Sequence, residues 1–130
     1  MDKNVSELTA KWWRKRLENP THSNGCDSGP SAMAGIMATM LAANHMPSVS
    51  QLDIFEEELT KLIMDYDSPR LTLDCDYHPC TMLVNAADVA KIELCVFPWK
   101  VCTETRNDGV QVADGYGQPY VKIQASDFEK

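Results

Sequence analysis

The chain has 130 residues, of which 44% are hydrophobic and 24% are charged. This balance is typical of a folded globular protein and excludes a disordered, collagen-like or repetitive chain. The net charge is −7, and an acidic surface repels a phosphate backbone, so we expect no nucleic-acid partner. At this length one domain is the default, and we predict a single domain over 1–130.

Cysteine usage and hydropathy bear on the compartment. The five cysteines are an odd number without a tandem C-x-x-C pair, and the first 19 residues are charged and polar rather than an apolar leader. These features favour a reducing cytoplasm. The longest apolar stretch, 32–43, is too short to span a bilayer. We therefore expect a cytoplasmic protein without membrane contact.

The first part of the chain, 1–68, predicts three helices. Over 4–18, Asn4 is placed as the N-cap with Glu7 three residues later. Trp12 and Trp13 lie about 100° apart on such a helix, so we expect only one of them in the core. After a loop of turn-forming residues at 19–29, the segment 31–44 is apolar almost all round. A helix without a polar face is buried, so we predict this one as the central core helix.

The third helix has the clearest pattern. Ser48 is followed three residues later by Gln51, which predicts a capping box at the helix start. Apolar residues then recur at helical spacing, and Ser68-Pro69 ends the helix. The predicted buried stripe consists of Leu52, Phe55, Leu59, Leu62 and Ile63.

The second part, 69–130, has strand chemistry with one helix. A strand at 71–75, a helix at 79–90 and a strand at 92–97 predict a β-α-β unit. Strands at 100–105 and 110–113 flank the turn Asn107-Asp108-Gly109 and predict a hairpin. A last strand follows at 120–124. The sum is an α+β fold with helices first and then a sheet of roughly four strands.

The first candidate site follows the strand at 71–75. Asp74 and Asp76 alternate onto one side of that strand, and His78 stands where the next helix begins. Backbone N–H groups converge where a crossover helix begins, so ligands tend to bind there. A carboxylate pair with a histidine suits acid–base work or a divalent cation. In the alternative interpretation, Asp76 or His78 only caps the helix.

The same segment also contains residue types that bind zinc. Cys75, His78 and Cys80 lie close in sequence, and His22 or Cys26 would have to supply a fourth ligand. The spacing C-x-x-H-x-C is unlike the usual zinc knuckles, and strand alternation turns Cys75 away from the two aspartates. We expect no metal ion and no cofactor.

Aromatic residues mark the second candidate surface. Trp99 and Lys100 follow Pro98, and Tyr116, Gly117 and Tyr120 lie in or next to the loop D-G-Y-G-Q-P. Such residues at strand ends favour a ligand pocket or a protein contact, and the alternative is that they cover the core. We expect them to meet the acidic strand end in one recognition surface. The predicted binding residues are Asp74, Asp76, Tyr77, His78, Trp99, Lys100, Tyr116, Gly117 and Tyr120.

The stretch D-S-G-P-S-A-M-A-G-I-M at 27–37 resembles papain-like cysteine peptidases of the bacteriocin-processing (C39) type. In that family the cysteine before Gly-Pro is the nucleophile and begins the central helix, and this position falls on Ser28. The resemblance implies a hydrolase, active or degenerate, in which Cys26 or residue 28 acts with His78. The family's upstream glutamine and its His-aromatic-Val strand have no counterpart in this chain.

A second resemblance concerns D-Y-x-P at 76–79 and the C-terminal segments. They are similar to small uncharacterised proteins encoded by phages and prophages, which implies an accessory protein that binds and blocks a host component. We therefore predict a small acidic binding protein whose partner is a host protein or a small-molecule ligand. The papain-like hydrolase is the alternative, and a homodimer stays open.

Overall fold

The computed structural model describes residues 1–22, 29–115 and 117–128. Within them the chain forms helices first and strands later, which confirms the α+β class. The helices are α1 (Lys3–Glu18), α2 (Gly29–Ala43), α3 (Val49–Met64) and α4 (Thr81–Ala90), with short 3-10 helices η1 (Leu94–Val96) and η2 (Ala125–Phe128). The strands are β1 (Arg70–Cys75), β2 (Val101–Arg106), β3 (Gly109–Asp114) and β4 (Val121–Ile123).

The sheet is an antiparallel meander in the order β1-β2-β3-β4. Arg106 pairs with Gly109 across the two-residue loop between β2 and β3, which confirms the predicted hairpin. The predicted β-α-β unit is wrong, because 92–97 contains η1 instead of a strand and β2 lies antiparallel to β1. Val96 and Phe97 are nevertheless buried. A short apolar run predicts burial but does not distinguish a strand from a buried turn of helix.

The core is one cluster of buried side chains from the sheet, α1, α3 and α4. α1 packs against α3 and against β2 and β3, whereas α4 packs against α3 rather than on the sheet. Trp13 and Phe55 both contact Phe97 at the centre. Trp12 is buried as well, against the expectation of one buried tryptophan. Because α1 is enclosed on two sides, ring positions about 100° apart both find protein neighbours.

Helix starts follow local hydrogen-bond chemistry. Ser48 and Gln51 form the predicted capping box of α3. The cap of α1 is Asp2 and not Asn4, because the carboxylate of Asp2 accepts a hydrogen bond from the Asn4 N–H. Three residues of the α3 stripe are fully buried, namely Phe55, Leu59 and Ile63, and Leu52 is nearly so.

The prediction that α2 is the buried central helix is wrong. α2 packs against η1 on one side, where Gly35 and Ala42 are buried. The opposite side of α2 is exposed although it carries the large apolar side chains. Their exposed fractions lie between 52% and 65%, and they are Met33, Ile36, Met37, Met40 and Leu41. A uniformly apolar sequence has no period to indicate which side of the helix packs. The side with small residues packs because it allows α2 and η1 to approach each other closely.

Candidate functional site

A groove of about 400 Å³ lies at the end of the sheet where β1 ends and β2 begins. Strand pairing assembles it, since Asp74 lies opposite Cys102 and Cys102 lies opposite Ala113. We call it the strand-end groove. Its lining residues are Asp74, Asp76, Lys100, Val101, Cys102, Ala113, Gly115, Gly117 and Gln118.

The two aspartates lie on one side of the chain, as the alternation predicts. Leu71, Leu73 and Cys75 point into the core, whereas Asp74 and Asp76 are exposed and both line the groove. Burial raises the pKa of Cys75 to about 12. This thiol is therefore protonated at neutral pH and turned away from the groove, which fits neither a metal ligand nor a nucleophile.

A tight turn carries the residues that follow β1. Cys75 pairs with Pro79, and the Cys80 N–H donates to the carbonyl oxygen of Asp74 at 3.0 Å. α4 then begins after Cys80, whose side chain makes no capping hydrogen bond. The alternative in which Asp76 or His78 caps the helix is therefore wrong. The turn instead projects Asp76, Tyr77 and His78, all of which are exposed.

Lys100 joins this turn to β2. Its ammonium group lies 2.5 Å from Asp76 Oδ1 and 4.5 Å above the ring of Tyr77. Its backbone N–H donates to the Asp76 carbonyl oxygen at 2.8 Å. Lys100 has a positive φ of 58°, a backbone conformation that costs energy for every residue other than glycine. The ion pair neutralises Lys100, so an anion that binds to Lys100 has to compete with Asp76.

Trp99 lies between two other rings. Its centroid is 5.1 Å from Tyr77 and 5.3 Å from His22, both in edge-on geometry. His22 is buried, and its Nε2 donates to the carbonyl oxygen of Cys95 at 2.9 Å. Burial lowers the pKa of His22. The sequence offered His22 only as a zinc ligand, and no local pattern signals that it supports Trp99.

Tyr120 contacts the groove at Cys102. Its hydroxyl lies 3.2 Å from Cys102 Sγ, and this hydrogen bond together with partial burial raises the pKa of Tyr120 to about 12. Gly117 lines the groove with a positive φ of 74°. The structure thus brings Asp74, Asp76, Lys100 and Gly117 together, with the rings of Tyr77, Trp99 and Tyr120 beside them.

The remaining candidate residues are His78, Tyr116, Cys26 and Ser28. His78 is exposed on the turn and does not line the groove. Tyr116, Cys26 and Ser28 lie outside the described residues, so the hydrolase arrangement stays a prediction.

In 1–22, 29–115 and 117–128 no group of three or more histidine, cysteine or acidic residues could hold a metal ion. The helices of these ranges also include none with the length and apolar character needed to cross a membrane.

The charge at the groove decides what it can bind. Asp76 is paired with Lys100, whereas Asp74 makes no side-chain hydrogen bond or ion pair within the described part of the chain. An exposed carboxylate beside aromatic rings suits a cationic group.

Comparisons with protein-family models, curated proteins and solved structures gave no match.

Proposed function

We propose that this chain is a small binding protein that recognises a partner protein through the strand-end groove. A lysine or arginine side chain of the partner pairs with Asp74, and the exposed ring of Tyr77 supplies contact area. The observation that carries this proposal is the position of Asp74, which is exposed and forms no ion pair with the residues that the structure describes, in a groove whose lysine is paired with Asp76. Charge-assisted hydrogen bonds of this kind are the stronger ones in proteins.

Charge also indicates the class of partner. The net charge of −7 attracts a basic protein over a distance and speeds its encounter with the groove. It disfavours a second copy of this chain as the occupant of the groove, because two acidic surfaces repel each other. The resemblance to phage and prophage proteins would make the partner a host protein, which the bound chain would block.

Cytoplasmic location is part of the same proposal. Four cysteines in the described ranges are free thiols, which supports a reducing compartment. They are Cys75, Cys80, Cys95 and Cys102.

The test uses a short cationic probe and NMR. We would titrate the protein with acetyl-Gly-Arg-Gly-amide and follow the amide signals of Asp74, Lys100 and Gly115. We expect saturable shifts at these positions, and no such shifts with acetyl-Gly-Glu-Gly-amide. Asp74→Asn should weaken binding roughly tenfold, because a hydrogen bond to a charged group contributes about 1.5 kcal/mol or more.

The matched control is Asp108→Asn at the exposed tip of the β2–β3 hairpin, which removes the same charge away from the groove. It should leave the affinity within about twofold of the unaltered protein. Equal weakening by both substitutions would indicate general attraction to an acidic surface and would contradict the proposal. Shifts with the glutamate peptide alone would instead indicate an anion site at Lys100.

A further inference from the structure

Among the described residues, the outward side of α2 carries the largest group of exposed apolar side chains on one element. We call it the α2 face. It lies within an arc of roughly 140° on the helix, opposite the small residues that pack on η1. The α2 face consists of Met33, Ile36, Met37, Met40 and Leu41, each more than half exposed.

The size of the α2 face calls for an occupant. Five large side chains exposed by 52–65% present apolar area on the order of 500 Å² on one 15-residue helix. A patch of that size on a monomer is near the upper end of what soluble proteins expose, and it usually marks an interaction site. The helix carries no charged residue from Gly29 to Ala43, so its occupant is recognised by shape and apolar contact.

We propose that the α2 face is the interface of a homodimer, in which α2 of one copy packs against α2 of a second. A twofold interface needs one patch that complements itself, and an uncharged face meets this condition without any like-charge contact. The area also fits. Adding the flanking surface of each copy to about 500 Å² from the α2 face approaches the roughly 800 Å² per partner of a standard interface.

Antiparallel packing places the twofold axis near the middle of α2. Met37 lies close to the centre of this helix and is 62% exposed, so it meets Met37 of the other copy. Met33 of one copy then lies near Leu41 of the other. Methionine side chains are unbranched and adaptable, and they fill an interface between two convex helices well.

The other kind of surface that α2 could contact is a membrane. Helices that lie on membranes usually carry lysine or arginine beside their apolar side. α2 carries neither. The lack of basic residues on α2 therefore favours a second protein chain over a lipid surface.

Sedimentation velocity over a range of protein concentrations tests the proposal. We expect a monomer–dimer equilibrium in the unaltered protein, strengthened by added salt because the acidic bodies repel each other. Met37→Glu should raise the dissociation constant about a hundredfold or more, since it places two carboxylates at the twofold axis. Circular dichroism should show the same helix content in Met37→Glu as in the unaltered protein. Met37→Gln repeats the test without adding a charge.

The matched control is Val89→Glu on α4, where a valine is 53% exposed. It adds the same charge to an exposed apolar helix position and should leave the dimer intact. A protein that stays monomeric at every concentration up to the millimolar range would overturn the proposal. So would equal dissociation by Val89→Glu, or a dimer that Met37→Glu and Met37→Gln leave unchanged.

Cross-linking tests the geometry as well as the existence of the interface. Under mild oxidation Met37→Cys should give a disulfide-linked dimer, because the two introduced thiols lie next to the axis. Val89→Cys should give none under the same conditions. Met33→Cys mixed with Leu41→Cys should give the mixed dimer in preference to either like pair. A preference for like pairs would contradict the antiparallel arrangement.

Discussion

Trp13 illustrates how single residues connect α1 to the sheet. Its ring is fully buried, and its Nε1–H donates to the hydroxyl of Thr103 at 3.0 Å. One turn earlier on α1, Thr9 and Thr105 share a hydrogen bond of 2.6 Å between their hydroxyl groups. Threonine on the inner side of β2 therefore supplies the polar partners that the buried groups of α1 require.

Thr103→Val tests this connection. Valine has nearly the shape of threonine but leaves the indole N–H of Trp13 buried without an acceptor, which costs about 1–3 kcal/mol of the free energy of unfolding. Urea denaturation would measure the loss. Thr72→Val is the control, because Thr72 is exposed on β1, and it should change stability by less than about 0.5 kcal/mol. Equal effects would show that strand propensity, not the hydrogen bond, is being measured.

His22 gives stability a dependence on pH. Burial lowers its pKa in the folded protein, whereas the unfolded chain binds a proton with a pKa near 6.5. Below that pH His22 is protonated in the unfolded state, whereas in the folded state it binds the proton less readily. The free energy of unfolding therefore falls as the pH drops from about 7.5 towards 5.5, and the contribution of His22 is complete only above the unfolded pKa.

His22→Gln should make stability less dependent on pH over this range. The amide still offers an N–H to the carbonyl of Cys95 but does not titrate. Urea midpoints measured between about pH 7.5 and 5.5 would report the slope. His45→Gln, at an exposed position, is the control and should keep the slope of the unaltered protein. An unchanged slope in His22→Gln would show that other groups cause the pH dependence.

At the scale of elements, the sequence predicts best where two signals agree. α3 combines the Ser48–Gln51 capping box with an apolar stripe at helical spacing. Its start and four of the five predicted stripe residues are as predicted, whereas Leu62 is only partly buried. α2 and 92–97 have apolar residues without a period, so the sequence indicates neither which side of α2 packs nor that 92–97 contains a 3-10 helix. The structure decides these by packing: the small side of α2 lies against η1.

Ala42→Leu tests the packing of α2 at its buried side. Ala42 is fully buried, so a larger side chain overpacks the contact and should cost about 1–3 kcal/mol of stability. Ala34→Leu adds the same atoms at an exposed position of the same helix and should change stability by less than about 0.5 kcal/mol. Thermal unfolding of both variants would be compared. A larger loss of stability in Ala34→Leu than in Ala42→Leu would mean that α2 packs through its other side.

At the scale of the whole molecule, the groove was partly predictable. Strand alternation alone places Asp74 and Asp76 on one side, because the period of two holds in any sheet. The meeting of Tyr77 with Trp99 and Lys100 depends on β2 lying antiparallel to β1, which the predicted β-α-β unit did not include. Contacts made by long-range pairing, such as that of His22 with Trp99, have no local sequence signal.

Amide hydrogen exchange tests whether α2 opens more easily than the helices of the core. Among the residues that the structure describes, α1, α3, α4 and the sheet contribute most of one continuous hydrophobic core, and Ala42 is the residue that α2 adds to it. Opening α2 therefore exposes little buried apolar surface, and its amides should exchange at least about tenfold faster than those of α3 in dilute protein. Because the proposed dimer covers the α2 face, protection of α2 should rise with protein concentration while that of α3 stays constant. Slow exchange of α2 in dilute protein would show that α2 unfolds only together with the core.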